Sequence, residues 1–147
     1  MTQTMALVKV LHVRENEKKV AQKDFRKSQD VFEEVATKLY QLLKKKEDAE
    51  ASYDQFIQSA TPLDRIKEQI NYIEKLNMKI SMLQREVQFA RNQMEKKQGI
   101  LNDAYIEVKK FESIIEKRQK HAAEQEERME KSFMDEISIH QYLSHKK

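Results

Sequence analysis

The sequence predicts an all-α protein, a long antiparallel two-helix coiled-coil hairpin with a C-terminal helical overhang. Three observations predict it. Turn-forming residues are almost absent, with one glycine, Gly99, and one proline, Pro62, in 147 residues. Charged residues make up 36% of the chain, a share typical of long helices rather than of a compact globule. Apolar residues recur at alternating steps of three and four along two stretches that this proline separates.

The first element spans about residues 5–58. Its stripe runs Ala21, Phe25, Ser28, Phe32, Val35, Leu39, Leu42, Lys46, Ala49, Tyr53 and Phe56. Only Ser28 and Lys46 break its apolar character. Such a narrow stripe is the seam of a coiled coil and must be covered by another helix.

The bend falls at about residues 59–62, in the segment SATPLDR. Thr61 fits an N-cap, where its hydroxyl can accept a bond from an orphan backbone N–H. Pro62 then takes the first helical position, where a missing N–H costs nothing. Asp64 lies three residues after Thr61, which matches a capping box and complements the helix dipole. Pro62 also disfavours helix at the residue before it, so the first helix should stop by Ser59.

The second element spans about residues 62–145, and the whole chain reads as one domain, 1–147. Its stripe runs from Leu76, Ile80, Leu83, Val87, Ala90, Met94, Lys97 and Leu101 through Ala104, Val108, Phe111, Ile115, Arg118 and Ala122. Upstream, Ile66, Ile70 and Ile73 continue it with one irregular step of three before Leu76. A bend this short makes the two helices antiparallel neighbours, pairing residues whose numbers sum to roughly 122. Phe56 then meets Ile66, Leu42 meets Ile80 and Leu7 meets Ile115. The first helix runs out near its partner's residue 118, which leaves a C-terminal helical segment beyond the pairing. Glu116–Lys120 and Glu127–Lys131 offer it i,i+4 ion pairs. Met129, Phe133, Ile137 and His140 give it a thin apolar stripe.

These features bound the function. A net charge of +3 from 28 basic and 25 acidic residues is interspersed, and the run Lys44-Lys45-Lys46 is followed at once by Glu47 and Asp48. No nucleic-acid surface is expected from such a pattern. A basic-zipper DNA binder would need a segregated basic block. A prefoldin-like arm pair would need strands where SATPLD has no room for them. The N-terminal apolar run is broken by Lys9 and is too short to span a membrane. The absence of cysteine excludes disulfides and thiolate metal sites and fits the cytoplasm. One glycine excludes a phosphate-cradling loop. No two of His12, His121, His140 and His145 lie four apart, and the many carboxylates of a thin helix pair face water. The chain therefore reads as non-enzymatic, with no cofactor or metal. Tyr40, Tyr72 and Phe89 lie off the strict seam and are either contact residues or flanking packing. Met94 lies on the seam and Met82 beside it, which reads as packing.

The stretch EKRQKHAAEQEERMEKSFMDE, Glu116 to Glu136, resembles the FliJ family, small stalk proteins of the bacterial flagellar type III export apparatus. The family pattern of an acid-Lys-Arg segment, an acidic-and-arginine stretch and an Asp-Glu pair looks like Glu116-Lys117-Arg118, Glu126-Glu127-Arg128 and Asp135-Glu136. The stretch NYIEKL, Asn71 to Leu76, resembles the family's segment just after its bend. The resemblance implies a two-helix coiled coil similar to that of the rotary ATPase γ subunit. It implies three partners: the hexameric flagellar export ATPase, the cytoplasmic domain of the export gate membrane protein, and export chaperones. Carried onto this sequence, it implies ATPase contacts at Arg118, Arg128, Asp135 and Glu136, and gate contacts at Leu42, Tyr72 and Leu76. The location implied is cytoplasmic, peripherally associated with the cell membrane through the export apparatus. From the residues alone, a generic cytoplasmic coiled-coil adaptor or co-chaperone is the alternative.

Overall fold

The structure is a computed structural model that describes residues 2–145. It contains two helices, α1 (Thr2–Gln58) and α2 (Leu63–His145), and no strand among the described residues. They pack against each other as a helical hairpin, the fold class expected. The chain divides into two compact units, one made of Lys19–Asn102 and the other of the chain up to Lys18 together with the chain from Asp103.

In the Lys19–Asn102 unit all eleven stripe positions of α1, from Ala21 to Phe56, are buried or half-buried. Ser28 keeps its place on the seam because its Oγ donates to the Phe25 carbonyl at 2.6 Å, which satisfies the hydroxyl inside its own helix. Lys46 is half-buried along its stem, and its Nζ reaches out to Glu50 at 3.9 Å. On α2, Leu76, Ile80 and Ala90 are buried.

Nearer the bend the seam departs from the expected one. Ile70 is 37% exposed, and Gln69 takes the inward position instead. The Gln69 Nε2 donates to the Ala49 carbonyl across the helix pair at 2.9 Å. Ala49 is itself buried, and its small side chain leaves its backbone within reach of a glutamine. With Gln69 in place the seam runs Ile66, Gln69, Ile73, Leu76, Ile80. The steps alternate three and four without the irregularity that an all-apolar reading imposes.

At the bend, α1 ends at Gln58, and the Ser59 N–H and hydroxyl both donate to the Gln55 carbonyl, at 3.1 and 2.9 Å. No described residue has a positive φ, so the helix closes without a left-handed cap. The start of α2 lies one residue later than expected. Arg65 and Ile66 donate to the Pro62 carbonyl at 3.1 and 3.4 Å, so Pro62 and not Thr61 carries the first helical acceptor. The Thr61 hydroxyl is engaged by Ser59 Oγ at 2.8 Å and does not cap an orphan N–H. Asp64 still falls in the first turn of α2, where its charge complements the dipole.

In the other unit, Thr4, Leu7, Leu11, Arg14 and Lys18 of α1 extend the same stepping. Arg14 and Lys18 are cations on a seam. They are accommodated by aromatic faces on α2: Arg14 lies 5.9 Å from the Phe111 ring centre and Lys18 4.1 Å from that of Tyr105. Both stems pack while the charges sit over negative ring faces. The ion pairs among the described residues are all within α1, whereas contacts from α1 to α2 use rings and amides. Glu116–Lys120 and Glu127–Lys131 do not close as ion pairs, although their spacing allows it.

The Lys18–Tyr105 contact is measurable by a double-mutant cycle. Tyr105→Ala and Lys18→Ala are each expected to destabilise the chain, with a coupling of about 0.5–1 kcal/mol in urea unfolding. Strictly additive losses would show that the two side chains pack independently.

The seam ends at Ile115, which is buried. Arg118 and Ala122, expected to continue it, are exposed, as is every described residue of α2 from Glu116 onward. The reason is the length of α1. Its start brings Gln3 level with Arg118, and the two side chains bond at 3.0 Å.

Candidate partner-binding surfaces

The segment of α2 after Ile115 is helical yet buries nothing. Residues 123–145 carry six acids and two bases, whereas the rest of the chain has more bases than acids. Arg128, Asp135 and Glu136 are all exposed there, among the equally exposed Met129, Phe133, Met134 and Ile139. Phe133, Glu136, Ile137 and His140 line one open groove on this segment. Just before it, Lys117, Arg118 and His121 form a basic groove with Gln3 and Thr4. Arg118 is thus separate from the other three residues in its setting. Its Nη1 is tied to Gln3 Oε1, while Arg128, Asp135 and Glu136 lie on the acidic segment. A surface with this mixture of charge and exposed apolar side chains suits protein contact rather than chemistry.

The second set of residues lies in the Lys19–Asn102 unit and divides by burial. Leu76 is 3% exposed and is a seam residue. Leu42 is half-buried on the facing helix. Tyr72 is 44% exposed, one turn before Leu76, and is the member of the three whose ring a partner can reach. Tyr40 and Phe89 are also exposed, which makes the off-seam aromatics surface groups rather than flanking packing. Met94 is half-buried, as its seam position requires, but Met82 is exposed and takes no part in packing.

Sequence reasoning missed one feature of this unit. Phe89 and Val31 face each other across an open groove of about 340 Å³. It forms because the seam residues below, Ser28 and Ala90, are small. The signal in the sequence was the pair of small residues at facing seam positions.

No helix is long and apolar enough to cross a membrane, and no group of metal-ligating side chains is present among the described residues. A family model described as flagellar FliJ protein matches residues 3–147. A flagellar FliJ protein of Bacillus subtilis (strain 168) is 36% identical over 135 residues, covering 92% of each chain. No solved structure matches the chain. With a match along almost its whole length and a helical hairpin for a fold, the chain belongs to the FliJ family of flagellar proteins.

Proposed function

We propose that the chain is a non-enzymatic coupling stalk of the flagellar type III protein export apparatus, working in the cytoplasm between the export ATPase ring and the export gate. Membership of a non-catalytic flagellar family supports the setting. The observation that carries the reading is the helical segment after Ile115, which is long, exposed and rich in both acids and apolar side chains. A helix with this much exposed apolar surface gains from a partner that covers it. In this reading Arg118, Arg128, Asp135 and Glu136 meet the ATPase hexamer. Tyr72 and Leu42 meet the cytoplasmic domain of the gate protein, and Leu76 acts from inside the seam by holding Tyr72 in place. Export chaperones are the third class of partner, carried on the remaining exposed surface.

The test is reconstitution. Addition of the purified chain to its cognate export ATPase is expected to raise turnover and the fraction of ATPase in rings. An ATPase that neither assembles nor speeds up in its presence would overturn the reading.

A further inference from the structure

The groove between Phe89 and Val31 lies in a basic neighbourhood. Residues 23–31 and 89–97, which form its two sides, hold six bases against three acids. Lys27 and Lys97 line it directly, with Asp24 the one acid among the lining residues. Phe89 is 66% exposed and Val31 is also exposed, so two large apolar groups stand open to water beside paired cations. The fitting ligand is therefore a helix with an apolar anchor flanked by carboxylates.

The chain contains such a helix. Residues 123–145 carry six acids against two bases, and Phe133, which is 62% exposed, stands among Glu130, Asp135 and Glu136. Groove and segment both lie on α2, one unbroken helix, so a segment that fills the groove comes from another copy. We infer that the acidic C-terminal segment of one copy docks in the Phe89–Val31 groove of a second, with Phe133 as the anchor and Lys27 and Lys97 facing its carboxylates. Two copies close the contact by exchanging segments reciprocally about a two-fold axis, which makes it isologous. Part of its strength is electrostatic and weakens with salt.

The full-length chain tests this. Sedimentation equilibrium at low salt is expected to show a monomer–dimer equilibrium that shifts toward monomer as salt is raised. Phe89→Glu and Phe133→Glu are each expected to weaken dimerisation more than tenfold, with Val31→Glu as a second groove variant. All three positions are exposed, so far-ultraviolet circular dichroism should be unchanged. The chain has no cysteine, which permits a direct check of which surfaces meet. A Gln93→Cys chain mixed with an Ile137→Cys chain, which keeps the Phe133 anchor, is expected to form mixed disulfide dimers in preference to either homodimer. A monomer at all concentrations would overturn the proposal. So would a dimer that ignores Phe89→Glu, or Ile137→Cys homodimers in place of mixed ones, since those would mean that the acidic segments pair with each other.

Discussion

Truncation after Ala122 is expected to abolish stimulation of the export ATPase while shifting the melting temperature of the hairpin by no more than about 2 °C. The two halves of that expectation have separate causes. No described residue from Glu116 onward is buried, so the removed segment takes almost no apolar contact with it, and area lost from the folded state is what lowers a melting point. The same segment carries Arg128, Asp135 and Glu136 and the exposed Met129 and Phe133, so the ring loses all of its proposed contact except Arg118. Arg118 survives this truncation, still tied to Gln3. Charge reversal at Arg118 in the full-length chain therefore reports on that residue alone. A truncated chain that still binds and stimulates the ring would sink the assignment of the acidic segment. A melting temperature that fell by ten degrees or more would mean that the segment packs in solution.

Leu76→Ala is expected to destabilise the hairpin by about 2–4 kcal/mol, and Tyr72→Ala by less than about 1 kcal/mol. The contrast follows from burial. Leu76 is among the least exposed residues of the chain, and in a two-helix pair few neighbours are available to close over the cavity left by its side chain. Tyr72 keeps much of its ring in water, one turn away on the same helix. Chemical denaturation followed by circular dichroism measures both. Binding to the cytoplasmic domain of the gate then separates their roles: Tyr72→Ala is expected to lose binding and motility with its melt and its ATPase stimulation unchanged. Normal gate binding by Tyr72→Ala would defeat the gate assignment. A much lowered melt would make Tyr72 a packing residue instead.

The hairpin was legible from three-and-four stepping because a coiled coil writes its contacts into the linear order of side chains. What escaped that reading involved a residue whose place depends on the other helix. Gln69 reads as polar and off the seam until Ala49 is seen opposite, with its carbonyl in reach. Arg14 and Lys18 interrupt the apolar pattern in α1, and the Phe111 and Tyr105 rings on α2 receive them there, with Glu17 pairing Arg14 from its own helix. Thr61 had the chemistry of a cap, but the competing hydroxyl of Ser59 lies two residues back and claims it. The surfaces for partners were the least legible. Exposed charges on one helix resemble those on another, so Arg128, Asp135 and Glu136 were singled out by likeness to a family and not by any physical peculiarity of their own. Leu42, Tyr72 and Leu76 came by the same route, and burial then graded them, from the exposed ring of Tyr72 through the half-buried Leu42 to the buried Leu76.

The bend also dictates the order in which the molecule assembles. The Gln69–Ala49 bond joins residues 20 apart in the chain, whereas Arg118–Gln3 joins residues 115 apart. Closing the longer loop first from a disordered chain costs about 1.5 kcal/mol more entropy than closing the shorter one. Assembly therefore nucleates beside Pro62 and zips outward, each layer shortening the loop that the next must close. In native-state hydrogen exchange, the unpacked segment after Ile115 should open first, and within the paired helices protection should decline from the bend toward Gln3. A bend residue changed to slow nucleation would then delay every later layer, while a change near Gln3 would leave the folding rate untouched and speed only unzipping.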